Sequence, residues 1–309
     1  MVVENKYVRF DWAVKRMLRD KANFGVLEGL ITVLLGEKTQ IVEILESESD
    51  QEQEDEKFNR VDIKAKNAAG DIILVEVQLT RQLYYLERIL YGVAKTLTEH
   101  IKLGSLYKEV KKVYHISIVY FDLGRGSDYL YHGQTRFIGV HTNDELLVST
   151  KEQDVIHMKT PAQVFPEYFI IRVNEFNAVA KTPLEEWLDY LKNGHIKDDT
   201  QTPGLSEARK KLQVMTMTPS ERVAYDRHLD AIMVQEDVLT TAKMEGHAEG
   251  RAEGRAEGRA EGRAEGLKEG RTEGLLDTAR RMKSDGVPEE LIEKYTGLSA
   301  EDIEKLYRP

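Results

Sequence analysis

Two carboxylates and an amide lie close together in the stretch RVDIKAKNAAGDIILVEVQL, residues 60–79. The pattern predicts two strands joined by a turn at AAG, because strand-type residues flank a glycine-containing turn. The second strand, IILVEVQL, is apolar except for Glu76 and Gln78. Polar groups in a buried strand are costly unless they have partners, so these two side chains are candidates for chemistry rather than packing.

The turn determines which side chains meet across this hairpin. If the hairpin is centred on Ala69, Asp62 lies directly across from Glu76. Residues opposed in this way have Cβ atoms about 4.5–5.5 Å apart. Because strand residues alternate between faces, Asp62, Lys64, Glu76 and Gln78 are expected on one face of the sheet.

Two carboxylates at that distance suggest a site for a divalent cation. They repel each other, and burial increases the cost. Mg²⁺ prefers oxygen ligands and often binds one or two carboxylates together with water and a substrate phosphate, and such an ion can activate water. The hairpin therefore predicts a phosphodiesterase site in which Asp62 and Glu76 bind Mg²⁺, with Mn²⁺ as the alternative metal. The other interpretation is that this polar face is the solvated side of an ordinary half-buried sheet.

The surrounding elements are predicted in the order helix, strand, strand, strand, helix, strand, which indicates a mixed α/β fold. The long helix predicted over residues 81–104 should cover part of the sheet face that carries Glu76. The other helices are predicted over residues 6–20, 23–35, 184–193, 205–216 and from about residue 219 onward. The other strands are predicted in QIVEILESE, VYHISIVYF, TRFIGVHT and YFIIRV.

The composition narrows the class of protein. The chain has 309 residues, a net charge of −10 and no cysteine, which excludes disulfides, thiolate zinc sites and cysteine nucleophiles. There is neither a run of about 18 apolar residues nor a signal-peptide pattern, so we expect a cytoplasmic protein that does not interact with membranes. The net charge argues weakly against a large nucleic-acid surface. Much of the negative charge lies in residues 47–57, however, and we expect this stretch to form a solvated loop.

The chain divides into four regions by pattern: a core at 1–145, a mixed and then helical extension at 146–242, a repeat at 243–274 and a small helical module at 275–309. In the last region, Ser299 and Asp302 predict a capped start for the final helix.

The repeat consists of eight four-residue units that each end in Glu-Gly. Glycine at every fourth position weakens a lone helix, yet small residues at that spacing let two helices approach closely. Two interpretations remain: a helix that self-associates, which would give a homo-oligomer through residues 243–309, or a flexible hydrophilic linker.

The sequence resembles the PD-(D/E)XK nuclease superfamily, in particular its recombination-promoting nuclease and transposase-like branch. The resemblance covers roughly residues 6–145 and rests on FDWAVKRML, the hairpin, LERILYGVAKTL and VYHISIVYFDL. It implies a restriction-endonuclease-like αβββαβ core with a mixed sheet. It also implies a metal-dependent DNA endonuclease linked to recombination or mobile elements, although the residues do not separate DNA from RNA as the substrate.

The resemblance assigns roles to the hairpin residues. The two acids that bind metal in the family correspond to Asp62 and Glu76. The usual lysine is replaced by Gln78, whose neutral amide can hydrogen-bond but carries no charge. Lys64, on the same predicted face, is the candidate source of the missing charge.

Further roles fall on the predicted helices. Many members of the superfamily have an additional acid on the first core helix, and Glu28 is the candidate here, with Asp11 as runner-up. Arg88 and Lys95 on the long helix are candidates for contacting the nucleic-acid backbone. Because Gln78 departs from the family pattern, the alternative function is a catalytically degenerate fold that binds DNA or oligomerises without cleaving it.

Overall fold

The computed structural model describes residues 6–45, 61–101, 106–152 and 155–305, so the predicted acidic loop at 47–57 lies outside the described residues. The chain forms two compact units, Met1–His228 and Leu229–Pro309. The helices are α1 (Phe10–Arg16), α2 (Phe24–Leu35), α3 (Tyr85–Glu99), α4 (Pro183–Asn193), α5 (Leu205–Lys211), α6 (Pro219–Ser284), α7 (Glu289–Thr296) and α8 (Ala300–Lys305). The strands are β1 (Ile41–Leu45), β2 (Ile63–Asn67), β3 (Ile72–Gln78), β4 (Val113–Val119), β5 (Leu130–Gly133), β6 (Val148–Glu152), β7 (Val155–Lys159) and β8 (Glu167–Arg172).

Within the described part of the first unit, six strands form one mixed sheet in the order β1-β2-β3-β4-β8-β5. β1, β2 and β3 are antiparallel neighbours, β3, β4 and β8 run parallel, and β5 lies antiparallel on the edge. The remaining pair, β6 and β7, forms a separate hairpin. The predicted mixed α/β class is confirmed, and the order from α2 to β4 is the predicted αβββαβ order.

The β2–β3 hairpin has the predicted register. Lys64 pairs with Leu74, as a turn centred on Ala69 requires. Gly70 in that turn has a φ of 87°, a conformation that glycine adopts without the steric cost of a side chain. The turn therefore fixes which residues of the two strands meet at the far end of the hairpin.

Helix α3 covers the sheet face that carries Glu76, as predicted. Leu74 of β3 packs against Val93 in one buried cluster. Further along, Val119 at the end of β4 packs against Ile89 in a second cluster. The polar residues of β3 on this face therefore lie beneath a helix and between apolar contacts.

A layer of helices joins the beginning of the first unit to its end. The ring of Phe10 in α1 meets the ring of Trp187 in α4 edge-on, with centroids 5.8 Å apart. α2 packs against α4 and α5. Gly29 of α2 lies so close to the backbone of Gly204 that a Cβ atom there would overlap it. Residues after β8 are thus integral to the unit that contains the hairpin.

The strand predictions after β4 were partly wrong. YFIIRV is β8, as predicted, but TRFIGVHT is not a strand. In that stretch the described chain has only an isolated bridge between Ile138 and Glu145. The backbone N–H of Gly139 donates to the carbonyl of Asp144 at 2.8 Å, which closes a local loop where strand pairing was expected.

The described second unit is helical. The repeat at 243–274 lies within α6. A small cluster of Ala279, Ile292 and Ile303 packs the two terminal helices against the end of α6. The backbone N–H of Asp302 donates to Ser299 Oγ at 3.2 Å, which confirms the predicted cap. None of the described helices is both long and apolar enough to span a membrane.

Candidate active site

Asp62 lies at a bend immediately before β2. Strand alternation predicted that the Asp62 side chain would share a face with Glu76. However, β2 begins only at Ile63, so alternation does not extend to Asp62. The preceding residue, Val61, packs into the cluster beneath α3. Instead, Asp62 Oδ2 accepts the backbone N–H of Val77 at 2.7 Å. The bend, rather than the pleat, therefore turns this carboxylate toward β3, beside the backbone that carries Glu76.

Cationic side chains surround Asp62. Lys15 Nζ lies 4.0 Å from Asp62 Oδ1, and the Arg19 guanidinium donates to the Asp62 carbonyl at 2.8 Å. Burial raises the pKa of Asp62, and this effect outweighs the lowering by the Val77 N–H and the nearby cations. A desolvated carboxylate with neighbouring cations is typical of functional sites.

Arg88 of α3 connects the two polar residues of β3. Its guanidinium forms an ion pair with Glu76, whose side chain is only 7% exposed. It also donates to Gln78 Oε1 at 3.4 Å. Burial lowers the pKa of Arg88, and the charge of Asp62 acts in the opposite direction. One guanidinium therefore lies among Asp62, Glu76 and Gln78.

His115 is a residue at this site that the sequence reasoning missed. Its Nε2 lies 3.8 Å from Glu76 Oε2, and its Nδ1 lies 3.2 Å from Ser117 Oγ. Burial, with a smaller effect of Arg88, lowers the pKa of His115 to about 3, so the imidazole is neutral. The sequence does contain a pattern that could have indicated His115: His115 and Ser117 are two residues apart in an otherwise apolar strand, as Glu76 and Gln78 are.

Lys64 and Lys95 lie near the site but have separate positions. Lys64 Nζ donates to Glu99 Oε2 at 2.7 Å, so its charge is balanced at the end of α3. Lys95 is half-buried on α3, seven residues after Arg88. The Lys64 ammonium is therefore paired with Glu99 at the end of α3 rather than with Gln78.

The two candidate helix acids are not brought to the hairpin acids. Glu28 Oε1 accepts the backbone N–H of Ile41 at 2.8 Å. Ile41 pairs with Asn67, at the turn end of β2, whereas Asp62 precedes the other end. A full strand therefore separates the Glu28 contact from Asp62.

Asp11, the runner-up, is fully buried in the helical layer. It accepts a hydrogen bond from Arg9 Nε at 2.9 Å, and its Oδ2 lies 2.6 Å from His228 Nε2. Burial alone would raise the pKa of Asp11, but the hydrogen bonds and charges of His228 and Arg9 together lower it. This carboxylate connects α1 to α6.

The arrangement offers oxygen donors and cations at one end of the hairpin. Asp62 and Glu76 supply carboxylate oxygens, and Gln78 supplies an amide oxygen. Among the described residues, no group of three His, Cys, Asp or Glu side chains is suitable for holding a metal. The available set is therefore two acids with an amide, and nearby cations can stabilise negative charge on a phosphate.

A family model described as PD-(D/E)XK nuclease family transposase matches residues 8–242. No curated protein and no solved structure matches the chain. The matched region contains the hairpin, α3 and the helical layer that packs α1 and α2 against α4 and α5. The chain therefore belongs to the PD-(D/E)XK nuclease family of transposases.

Proposed function

We propose that this protein is a metal-dependent DNA endonuclease that hydrolyses phosphodiester bonds in recombination or in the movement of mobile elements. The observation that carries the proposal is the contact of the Asp62 carboxylate with the β3 backbone next to Glu76. Asp62 Oδ2 lies 2.7 Å from the backbone nitrogen of Val77, the residue that follows Glu76. Lys15, Arg19 and Arg88 add positive charge, which suits a phosphodiester substrate.

Mg²⁺ fits the donor atoms of this site, with Mn²⁺ as the alternative metal. Asp62 and Glu76 would hold the ion, because Mg²⁺ prefers carboxylate oxygens and retains several waters. Burial raises the pKa of Asp62, so a neighbouring cation would stabilise the ionised form of this desolvated carboxylate. When bound, the metal would activate water and stabilise charge on the phosphate.

The other side chains would position the reactants. Gln78 would orient the attacking water or a phosphate oxygen, because an amide both donates and accepts hydrogen bonds. Arg88, which donates to Gln78 Oε1 at 3.4 Å, would supply the charge that the usual lysine provides. We assign this role to Arg88 rather than to Lys64, whose ammonium binds Glu99. Lys95 would contact the nucleic-acid backbone further along α3.

The test is a cleavage assay on supercoiled plasmid with Mg²⁺, Mn²⁺ or EDTA. The wild type should nick the plasmid only when metal is present, and Glu76→Gln should lose this activity while retaining its circular dichroism spectrum. Glu43→Gln, an exposed acid on β1, is the matched control and should cleave normally. Nicking by folded Glu76→Gln at the wild-type rate would remove Glu76 from the site.

A second candidate function is DNA binding or assembly without cleavage. Two observations favour it: Gln78 replaces the usual lysine, and Arg88 already neutralises Glu76. The same plasmid assay separates the two functions, because this candidate predicts DNA binding by a folded wild type with no nicking in either metal.

We also propose that the chain forms a homo-oligomer through residues 243–309. Each repeat glycine costs a lone helix up to about 1 kcal/mol, so a partner helix packed against the glycines would support α6. The double variant Gly258→Leu with Gly262→Leu should raise the helix propensity of α6, yet the larger side chains should prevent a partner helix from packing closely against it. We therefore expect a lower mass by light scattering with no loss of helical signal. An unchanged mass would contradict assembly through the repeat.

A further inference from the structure

A stripe of aromatic and basic side chains runs along one flank of α3. Tyr84, Arg88, Tyr91 and Lys95 are three or four residues apart and therefore share one sector of the helix surface. The backbone N–H of Arg88 donates to the carbonyl of Tyr84 at 3.1 Å. Tyr84 is thus the N-cap residue of α3, and its carbonyl accepts a hydrogen bond from the first turn of the helix. We call these four residues the α3 stripe.

The α3 stripe borders the candidate active site. Arg88 forms its ion pair with Glu76. One turn after Lys95, Glu99 binds Lys64 of β2 at 2.7 Å. Both contacts direct this flank of α3 toward β2 and β3, and Asp62 directly precedes β2 while Glu76 lies on β3.

The two tyrosines of the stripe present aromatic surface to solvent. Tyr84 is 74% exposed and Tyr91 is 38% exposed. They are two helical turns apart, or about 10 Å, with Arg88 between them. Among the described residues, the buried Nε of Arg88 has no hydrogen-bond partner. The guanidinium is therefore not fully satisfied by Glu76 and Gln78.

We infer that the α3 stripe binds an unpaired DNA strand and guides it to Asp62 and Glu76. The inference rests on the proposed function and names its substrate class. Aromatic rings that alternate with cations match the alternating bases and phosphates of a single strand, and base–aromatic stacking is the usual basis of such binding. Tyr84 and Tyr91 would stack on bases, while Arg88 and Lys95 would contact phosphates.

A duplex suits this surface less well. Its base faces are stacked on each other, and it presents phosphates and groove edges to a protein. A duplex would therefore use the cations of the stripe but would not stack its bases on the exposed rings. The opposite flank of α3 differs, since Leu86 and Leu90 are exposed there and carry no charge that could bind a phosphate.

The test measures binding separately from cleavage. The full chain, in EDTA and at about 0.1 M salt, is titrated into a fluorescein-labelled single DNA strand of about 16 nucleotides. The same strand annealed to its complement is the comparison, and fluorescence anisotropy gives both affinities. The wild type should bind the single strand more tightly than the duplex.

Four variants localise the effect. Tyr84→Ala and Tyr91→Ala should each weaken single-strand binding by about 5-fold to about 100-fold. Tyr84→Phe, which keeps the ring, should retain the wild-type affinity. The matched control is Tyr107→Ala: Tyr107 is 93% exposed and precedes β4, whose first residue pairs with Ile72 at the start of β3. Tyr107 therefore lies away from the acids, and Tyr107→Ala should bind the single strand with the wild-type affinity.

The outcomes separate this inference from the proposed function. The inference is overturned if both alanine variants bind the single strand like the wild type, or if the wild type binds the duplex at least as tightly. Metal-dependent nicking in that case would leave the nuclease function standing. If single-strand binding depends on Tyr84 and Tyr91 but the wild type cleaves no DNA, the binding role of the α3 stripe would be supported and the proposed nuclease function would be contradicted.

Discussion

Asp62→Asn is expected to abolish metal-dependent cleavage and, at the same time, to raise the melting temperature at neutral pH. The loss of activity follows because an amide cannot replace the carboxylate charge that would hold the metal. We expect a rate reduction of about a thousandfold or more. The amide oxygen can still accept the Val77 N–H, which Asp62 Oδ2 accepts at 2.7 Å, so the bend before β2 should be retained.

The gain in stability follows from the pKa of Asp62, which burial raises. The folded carboxyl group binds its proton more tightly than the unfolded one, whose pKa is about 4. Above the folded pKa, the ionised group therefore lowers the free energy of unfolding, and this cost disappears as protonation neutralises it. The variant should be more stable at neutral pH, and its advantage should shrink as the pH falls through the folded pKa of Asp62.

Asp71→Asn is the matched control for this prediction. Asp71 sits at the turn end of the same hairpin, where its backbone N–H donates to Asn67 Oδ1 at 2.8 Å. This variant should cleave plasmid like the wild type. If Asp62→Asn retained cleavage, Asp62 would have no part in the site. A lower melting temperature for Asp62→Asn at neutral pH would contradict the argument from burial.

Gly29→Ala is expected to lower the free energy of unfolding by about 3 kcal/mol or more. A Cβ atom at this position would overlap the backbone of Pro203 and Gly204. Gly204 cannot move aside easily, because its φ is 82° and the ring of Trp187 lies against it. Urea titration followed by tryptophan fluorescence measures the change, since Trp187 reports on this contact.

Gly25→Ala, one turn earlier on α2, is the matched control. Its Cβ would meet only the flexible Glu207 side chain, with Cγ at 3.4 Å. Alanine should stabilise the helix there by up to about 1 kcal/mol. Equal stability of the two variants would show that the contact between α2 and Gly204 is not tight.

The sequence was most informative where local rules determine structure. The turn around Ala69 fixed the register of the hairpin, and Lys64 indeed pairs with Leu74. The apolar pattern of β3 indicated burial, and the helix that follows it covers the face carrying Glu76. Each of these inferences needed only the spacing of neighbouring residues.

Other features of the site depend on contacts between distant residues. The bend at Asp62 ends the strand alternation, so the pleat could not predict that its carboxylate meets the Val77 N–H. Glu28 was predicted as a metal ligand from its place on a core helix, but its carboxylate accepts the backbone N–H of Ile41. That contact depends on the packing of α2 against β1. Spacing along the chain does not determine such long-range partners.

The buried contact between Asp11 and His228 also has a consequence for the order in which the protein is made. The two residues are 217 positions apart, so a nascent chain exposes the first helix long before its partner has been synthesised. The hairpin acids emerge early, but the helical layer that includes α1 and α2 is completed only by the residues around α4 to α6. The first unit cannot close until His228 is available, so a nascent chain that has not yet exposed His228 cannot display the finished site, and truncation before His228 removes the partner of a buried carboxylate.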